Sequence, residues 1–530
     1  MTSNTIPNEA FFVNILNRAK STPWPIINDT TLGINVGYTQ LLTDVLSTRD
    51  ALRESIPDSL FDEQGLLLES RSYIGLHTTP NYEFYVAALA ILALGGAIIA
   101  PLRPEFDPES ISRMLQKFQA SAVVLGAQQL PLTAGIKASA ASRDHALGIV
   151  PVKIKQPAPA DLAALNLSIK EDQVIPEHRP SLLVHTSGTA TSPKSVVQTR
   201  RLINLKFPPT SPNDRLLVYE TMNWISAHVN LLVRIVTASQ CDILPTYPGP
   251  AVIWEHLRQN RITSFAGVAH TWGEMGKYFL EHLDKLPAGE REEYVRGAQA
   301  IQRPFLASAS PPAWLLPFWK KTFDRDIQIG YVATELGVIS MLTTPGTDHI
   351  KRCLGKPLPG ITVKLANGDH GEIRIKTPYI FSHYLDNPAA TKAAFDEEGF
   401  FKTGDAAHRE GDQYVFDGRL GTDFLELDTG MVSMVNLDLQ LVSKPYLSEA
   451  YGIPLEGASK LGMLVRFNKS SDKTEDALSE RLRTDVAAII APHTAPTVIR
   501  VLRDGETAPK TSNRKIWRRK VNHPFFSEGS

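Results

Sequence analysis

The sequence predicts an α/β fold, with a large N-terminal domain of several subdomains and mixed sheets and a small α+β C-terminal domain. Three observations carry this. Apolar strand-like runs alternate with helix-like stretches through roughly the first 350 residues, the pattern of sheets covered by helices. From about residue 361 the texture changes to period-two alternation around turn signals, which is antiparallel sheet. The last stretch, roughly 110 residues, carries its own helix and strands beyond a turn and small residues at 418–422. The expected division is residues 1–418, a hinge at 419–423, and 424–530.

Taken in order, Phe84 to Leu102 carries no charge, but Gly95-Gly96 breaks it and Pro101 ends it. That is a buried helix, Tyr82 to Leu94, a glycine stop and a buried strand at 97–100, rather than a membrane span. Leu182 to Val184 and Ile327 to Tyr331 read as buried strands. Alternation on both sides of Asn367-Gly368-Asp369 makes a hairpin. Pro388 stands in the first turn of a helix that Gly399 stops. Tyr414 to Phe416 is a further strand, running into Asp417-Gly418. In the C-terminal unit, Leu478, Leu482, Val486 and Ile489 form one helix face, with Thr474 as the cap.

Composition narrows the function classes. The chain has 530 residues, 43% hydrophobic and 21% charged, which suits a soluble globular protein able to bury a large core. Its 55 Lys+Arg balance 56 Asp+Glu, a formal charge of −1, so no global basic field attracts nucleic acid or an anionic membrane. Cys241 and Cys353 are too few for a four-thiolate zinc site, and the N-terminus lacks the build of a secretory signal, so a cytoplasmic setting is expected. There is no H-E-x-x-H, G-x-S-x-G or G-x-G-x-x-G, which leaves zinc protease, α/β-hydrolase and dinucleotide dehydrogenase readings without an anchor.

The segment that carries phosphate chemistry is His185 to Val197, directly after the Leu182–Val184 strand. Small hydroxylated residues, a glycine and a lysine make a loop able to wrap an anion. From Gly188 the spacing is one residue from a Walker A motif, but Pro193 has no N–H where that motif needs a glycine amide, so this is a different phosphate loop. Alone, the segment also reads as a solvated Ser/Thr-rich surface loop.

The loop resembles the TSGTTG-x-PK loop of the adenylate-forming (AMP-binding) enzymes, which include acyl-CoA synthetases, luciferases and peptide-synthetase adenylation domains. Three further segments follow in that family's order. Gly330 to Glu335 resembles YG-x-TE, and Thr403-Gly404-Asp405 with Tyr414 and Gly418-Arg419 resembles TGD…Y…GR. Pro509 to Ile516 resembles P-x-T-x-x-GK-[IV]. The text around the last motif is most similar to stand-alone medium-chain or malonyl-type acyl-CoA synthetases.

The resemblance implies attack of a small-molecule carboxylic acid on the α-phosphate of ATP, giving acyl-AMP and pyrophosphate, then transfer to CoA. It implies that Thr186, Ser187, Gly188, Thr189 and Lys194 hold the β,γ-phosphates, that Thr334 bonds a phosphate oxygen, and that Glu335 binds Mg²⁺. Tyr331 would face the adenine, with Tyr414 in the same nucleotide site. Asp405 would accept the ribose hydroxyls, and Arg419 would reach ribose or phosphates. Lys515, on a mobile lid swinging near Gly421, would bridge carboxylate and α-phosphate. The simpler readings are a turn residue for Asp405 and a solvated basic run (Lys510, Arg514, Arg518, Arg519, Lys520) for Lys515.

Several positions depart from the pattern. Thr191 and Ser195 replace glycines of the phosphate loop, Arg514 replaces the glycine before the last lysine, and Val332 replaces a glycine beside the adenine or acyl group. In the segment after the hinge, Glu426 takes the place of a lysine, and Gly430 stands where the family has a glycine beside its acceptor tunnel. The resemblance places Trp224, His270, Ser308 and Val332 in the acyl pocket. Trp224 in place of an aspartate disfavours an α-amino acid; core packing is the other reading for Trp224 and for His270. Two further functions stay open: transfer to an amine, a hydroxyl or a separate carrier protein, and a degenerate nucleotide-binding protein without catalysis. A covalently linked carrier is not expected, since no such segment follows Lys515.

Overall fold

The computed structural model describes residues 4–526 apart from 100–105, 156–160, 187–193, 206–210, 212, 222–223, 308–310, 348–351, 428–429, 456–459, 469–473, 492, 494–496 and 511–515. Two large sheets dominate the N-terminal part. A sheet of seven strands among the described residues is parallel through Gly148–Pro151, Ala122–Leu125, Tyr73–His77, Ala97–Ile99 and Pro180–His185. It then turns antiparallel at Ser195–Thr199 and His383–Tyr384. A second sheet, of thirteen strands among the described residues, has a parallel centre in the order Ile27–Asp29, Gln240–Ile243, Arg215–Val218, Ser264–Val268, Arg303–Ala307 and Gln328–Tyr331. Beyond Tyr331 it continues antiparallel through Met341–Leu342 and Cys353–Pro357 into the strands Gln413–Arg419 and Phe401–Glu410. One sheet thus carries Tyr331, Asp405 and Arg419.

The uncharged segment at 84–94 becomes the helix Tyr82–Ala93, buried at every residue. From Phe84 on it is apolar round its circumference apart from the Tyr85 hydroxyl, which places it inside the protein, and its one charged residue, Glu83, accepts from Ala127 N–H at 2.9 Å. Here Tyr82 donates to Asp44 at 2.7 Å, and Phe84 meets His228 of the helix Ile225–Thr237 edge-on. Asn81 caps its start by accepting from the Glu83 N–H, and Gly95, at φ +72°, ends it before the strand Ala97–Ile99. Among the described residues no helix is long and apolar enough to cross a membrane.

The carbonyls left over at this helix end are met by Arg200, whose side chain is fully buried. It donates to Leu92 O at 3.0 Å and Gly96 O at 2.9 Å, and pairs with Glu9 at 2.6 Å. Glu9 immediately precedes the helix Ala10–Ser21, so one ion pair docks the N-terminal helix onto the central one. Burial pushes the Glu9 carboxyl up, opposed by Arg200, and burial holds the Arg200 guanidinium below its ordinary value.

Two element ends differ from expectation. The helix begun by Pro388 stops at Ala393, and beyond it Asp396 gathers the N–H groups of Glu398 and Phe400 into a turn around Gly399. In the helix Glu475–Ile490 the buried stripe is Leu478, Leu482, Val486 and Ile490; Ile489 is half-buried. The smaller C-terminal domain is built from the hairpin Phe424–Leu427/Gly430–Ser433 and a three-stranded sheet, Leu447–Leu455, Lys460–Phe467 and Thr497–Val501. That sheet is covered by Met434–Val442 and Glu475–Ile490, with its core at Leu437, Leu441, Met463, Val465 and Leu482.

Glu9→Ala should cost about 3–5 kcal/mol in urea unfolding, because it leaves the Arg200 charge buried without its counter-ion. A loss below about 1 kcal/mol, the range of an exposed pair, would contradict this account.

Candidate functional site

The parallel strands of the large sheet end on one edge, the usual ligand edge of an α/β sheet. Tyr331 closes the strand Gln328–Tyr331 there. Its hydroxyl donates to Asp405 Oδ2 at 2.7 Å, and Arg419 Nη1 lies 3.5 Å from Asp405 Oδ1. Asp405 and Arg419 are direct cross-strand partners, so the ladder itself aligns them. Gly404 bends the strand at φ +73°, a conformation that favours glycine, and its N–H donates to Glu372. The Asp405 side chain is 13% exposed and that of Arg419 41%. Each carboxylate oxygen meets one protein group and keeps a lone pair for a further donor. Tyr331 is only 8% exposed, packed near Val196, Leu336 and Met341, so it supports Asp405 more than it offers an open ring face.

Tyr414, expected in the same site, lies elsewhere. It pairs with Arg409, four residues along the strand from Asp405, a separation of about 14 Å. Its hydroxyl donates to Val363 O at 3.1 Å, which makes it a core residue of the antiparallel sheet.

Thr334 and Glu335 sit on a single 3₁₀ turn after Tyr331. Two residues that sequence reasoning passed over hold this turn. Gln198, buried in the strand Ser195–Thr199, donates to Thr334 O at 2.8 Å. Tyr384 donates to Glu335 Oε1 at 2.8 Å, and its ring lies 4.6 Å from Lys194 Nζ. An amide directly after the apolar pair Val196-Val197 was the available signal for Gln198. Nothing local marks Tyr384. The turn is therefore fastened to the strand that leaves the phosphate loop.

That loop joins Pro180–His185 to Ser195–Thr199 as an antiparallel connection. Thr186 N–H donates to Lys194 O, and Lys194 N–H donates to Thr186 Oγ1, both at 2.9 Å, which closes the base of the loop. The hydroxyl of Thr186 keeps its own proton to donate. Ser187, Gly188, Thr189 and the Thr191 departure lie outside the described residues, as do Ser308, Arg514 and Lys515.

Glu335 can be tested as a cation ligand. Its second oxygen has no hydrogen-bond partner among the described residues, and no group of three His, Cys, Asp or Glu there could cage an ion. This fits Mg²⁺, which takes one or two carboxylates and fills its other positions with phosphate oxygens and water.

On the acyl side, Trp224 and His270 follow neighbouring parallel strands, and Val332 follows Gln328–Tyr331 on the same edge. Trp224 is half-buried before the helix Ile225–Thr237, and its carbonyl accepts from Ala227 N–H at 3.1 Å. His270 is exposed, so core packing does not describe it. Glu220, between Val218 and Trp224, has no hydrogen-bond partner among the described residues, and burial pushes its carboxyl up to about 7. In the C-terminal domain Glu426 is exposed on its hairpin, opposite Met431.

Asp405 with Arg419, the turn bearing Thr334 and Glu335, and the base of the 186–194 loop thus lie in one connected set of contacts at the end of the parallel strands. The chain belongs to the AMP-binding enzyme family, whose sequence model matches residues 60–385. It is 29% identical over 529 residues to the acyl-CoA ligase oryP of Aspergillus oryzae, covering 98% of this chain and 93% of that one. It is 23% identical over 500 residues to the mitochondrial malonate–CoA ligase ACSF3 of Xenopus laevis, covering 85% and 82%. The fold is similar to that of ATP-bound MatB from Rhodopseudomonas palustris, with a TM-score of 0.75 at 16% identity over 97% and 98% of the chains. The anthranilate CoA ligase AuaEII, in complex with anthranoyl-AMP, gives 0.74 at 18% identity over 97% of each.

Tyr384→Phe should weaken Mg²⁺-dependent ATP binding by about 10–100-fold in calorimetry, the usual cost of losing a group that orients a ligand. Unchanged Mg²⁺ dependence would show that Tyr384 does not orient Glu335. A second outcome follows from Glu220. Its folded pKa lies above the ordinary 4.5, so the folded state holds the extra proton and stability falls as pH rises from about 4.5 to about 7. Glu220→Gln should remove that part of the slope in melting temperatures measured between pH 5 and 8.

Proposed function

We propose that this chain activates a small carboxylic acid with ATP, releasing pyrophosphate, and passes the acyl group from acyl-AMP to CoA. The observation that carries the reading is the convergence of Lys194, Thr334, Glu335, Asp405 and Arg419 at one end of the parallel strands, within a family of AMP-binding enzymes. Acyl-CoA and malonate–CoA ligases among its relatives supply the reaction class.

The chemistry sets the requirements. An acid oxygen attacks the α-phosphorus, the bond to the β-phosphate oxygen breaks, and pyrophosphate leaves with the electron pair. Two anions must meet, so the site needs cations and fixed donors rather than a strong base. Asp405 accepts the ribose hydroxyls and fixes the α-phosphate in register, with Arg419 beside it. The Thr334 hydroxyl donates to a phosphate oxygen, and Lys194 with the 186–194 loop holds the β,γ end. Glu335 would hold Mg²⁺, which when bound screens the triphosphate charge. Lys515 brings a positive charge to the acid oxygen and the α-phosphate as they join. Residues 419–423 serve as the pivot that lets the C-terminal domain carry Lys515 in and afterwards admit the acceptor. In the second half-reaction the CoA thiolate attacks the acyl carbon and AMP leaves.

Glu426 favours a second reading. A negative charge on the hairpin beside the acceptor path opposes the phosphates of CoA, which leaves an amine, a hydroxyl or a separate carrier protein as acceptor.

Pyrophosphate release across a broad panel of acids, with and without CoA and with mass spectrometry of the products, decides between them. Acyl-CoA is the expected product. Acyl-AMP that accumulates in the presence of CoA would support the second reading, and no release with any acid would overturn both. Lys515→Ala should slow adenylate formation by about 10²–10³-fold with ATP affinity retained, the mark of lost transition-state stabilisation.

A further inference from the structure

Glu220 brings a carboxyl to a strand end whose other side chains are spent on packing. Around Arg215–Val218 the side chains alternate between two faces. Leu217 and, just beyond the strand, Tyr219 pack with Phe265 and Leu306. Leu216 and Val218 pack on the opposite face, in the core shared with the helices Tyr82–Ala93 and Ile225–Thr237. The period of two puts Glu220 on that second face, at the ligand edge of the parallel strands. Trp224 leads into the helix Ile225–Thr237, which covers the face.

Register sets what lies beside Glu220. Leu217 is level with Phe265, so three residues on Glu220 is level with Val268. Val268 pairs with Ala307, and Ala307 pairs with Gly330. From Glu220 towards the strand of Tyr331 the row therefore runs Val, Ala, Gly, and the Phe305 ring takes the space a Gly330 side chain would need. Glu220, Val268, Ala307 and Phe305 are half-buried, so solvent reaches this lane. Leu217, Tyr219, Phe265 and Leu306 on the other face are closed off. Three strand spacings make the lane about 14 Å long. At its far end Gly330 is followed by Tyr331, whose hydroxyl holds Asp405.

An acid activated at the Asp405 end meets apolar walls along this lane until it reaches one carboxyl. Burial pushes that carboxyl up, with no cation among the described residues to offset it. A hydrogen-bond donor brought by the ligand satisfies it. An alkyl end leaves it bare, and a second carboxylate opposes it.

We propose that Glu220 determines substrate choice: it selects an acid with a hydroxyl or amino group at the end remote from its carboxyl, and rejects acids that end in an alkyl group or a second carboxylate. The proposal rests on the function proposed above and names the substrate class of that same site.

The test uses the full-length chain and two matched sets of acids. One is 6-hydroxyhexanoate, 6-aminohexanoate, heptanoate and pimelate; the other is 4-hydroxybenzoate, 4-aminobenzoate, 4-methylbenzoate and terephthalate. Within a set that is turned over, kcat/KM for pyrophosphate release should favour the hydroxy or amino acid by about 10–100-fold over its alkyl match. Glu220→Leu should reverse that order. Glu220→Gln keeps the shape and can still accept a hydrogen bond, so it guards against a folding failure of Glu220→Leu. It should hold the hydroxy-acid preference and admit the dicarboxylate about tenfold better. A wild-type preference for the alkyl or dicarboxylic acid, or an order that Glu220→Leu leaves unchanged, would overturn the proposal. If no acid releases pyrophosphate, the proposed function fails first. Calorimetry of the same acids with the α,β-methylene analogue of ATP then decides the selectivity by itself, with the same order of affinities expected and an order unaffected by Glu220→Leu counting against it.

Discussion

The site depends on one carboxylate held between two sheet systems. Asp405 accepts from Tyr331, at the end of the last parallel strand, and faces Arg419 across the antiparallel ladder. The short strands Met341–Leu342 and Cys353–Pro357 join the parallel centre to the antiparallel extension. The Tyr331–Asp405 bond adds a side-chain tie between them. A partly exposed, incompletely satisfied pair suits this task, since a fully buried and saturated one would have nothing left to give a ligand.

The same economy holds for Glu335. Gln198 and Tyr384 hold its turn by the backbone and by one carboxylate oxygen, leaving the other oxygen without a hydrogen-bond partner among the described residues. Both supports come from strands of the same large sheet, Ser195–Thr199 and His383–Tyr384, so the two large sheets meet at this turn. Deeper in, the fully buried helix Tyr82–Ala93 and the Glu9–Arg200 pair supply rigidity. The polar groups at the cleft are thus carried on a core whose buried polar atoms are mostly spent on one another.

Farther along the chain, charge is used as a joint. Arg518 gathers Asp423 and Asp438, and burial lifts the Asp438 carboxyl to about 7 despite the guanidinium beside it. Such an arrangement is costly to desolvate and is retained where geometry matters more than net stability. It stands where the chain passes from one domain to the other, next to the stem of the segment bearing Lys515.

The sequence by itself determined what depends on neighbours in the chain. The glycine that stops Tyr82–Ala93, the hairpin around Gly368, the Thr474 cap and the order of the four motifs are local signals, read from turn chemistry and periodicity. Tertiary structure decided which of the named residues meet. It joined Asp405 to Tyr331 across 74 positions and removed Tyr414 from the site, because strand register sets which residues face each other. It brought in Tyr384, which no local pattern marks, and turned Arg518 from one of several basic residues into a buried joint. Long-range pairing and burial are properties of the packed chain, and a list of residues does not contain them.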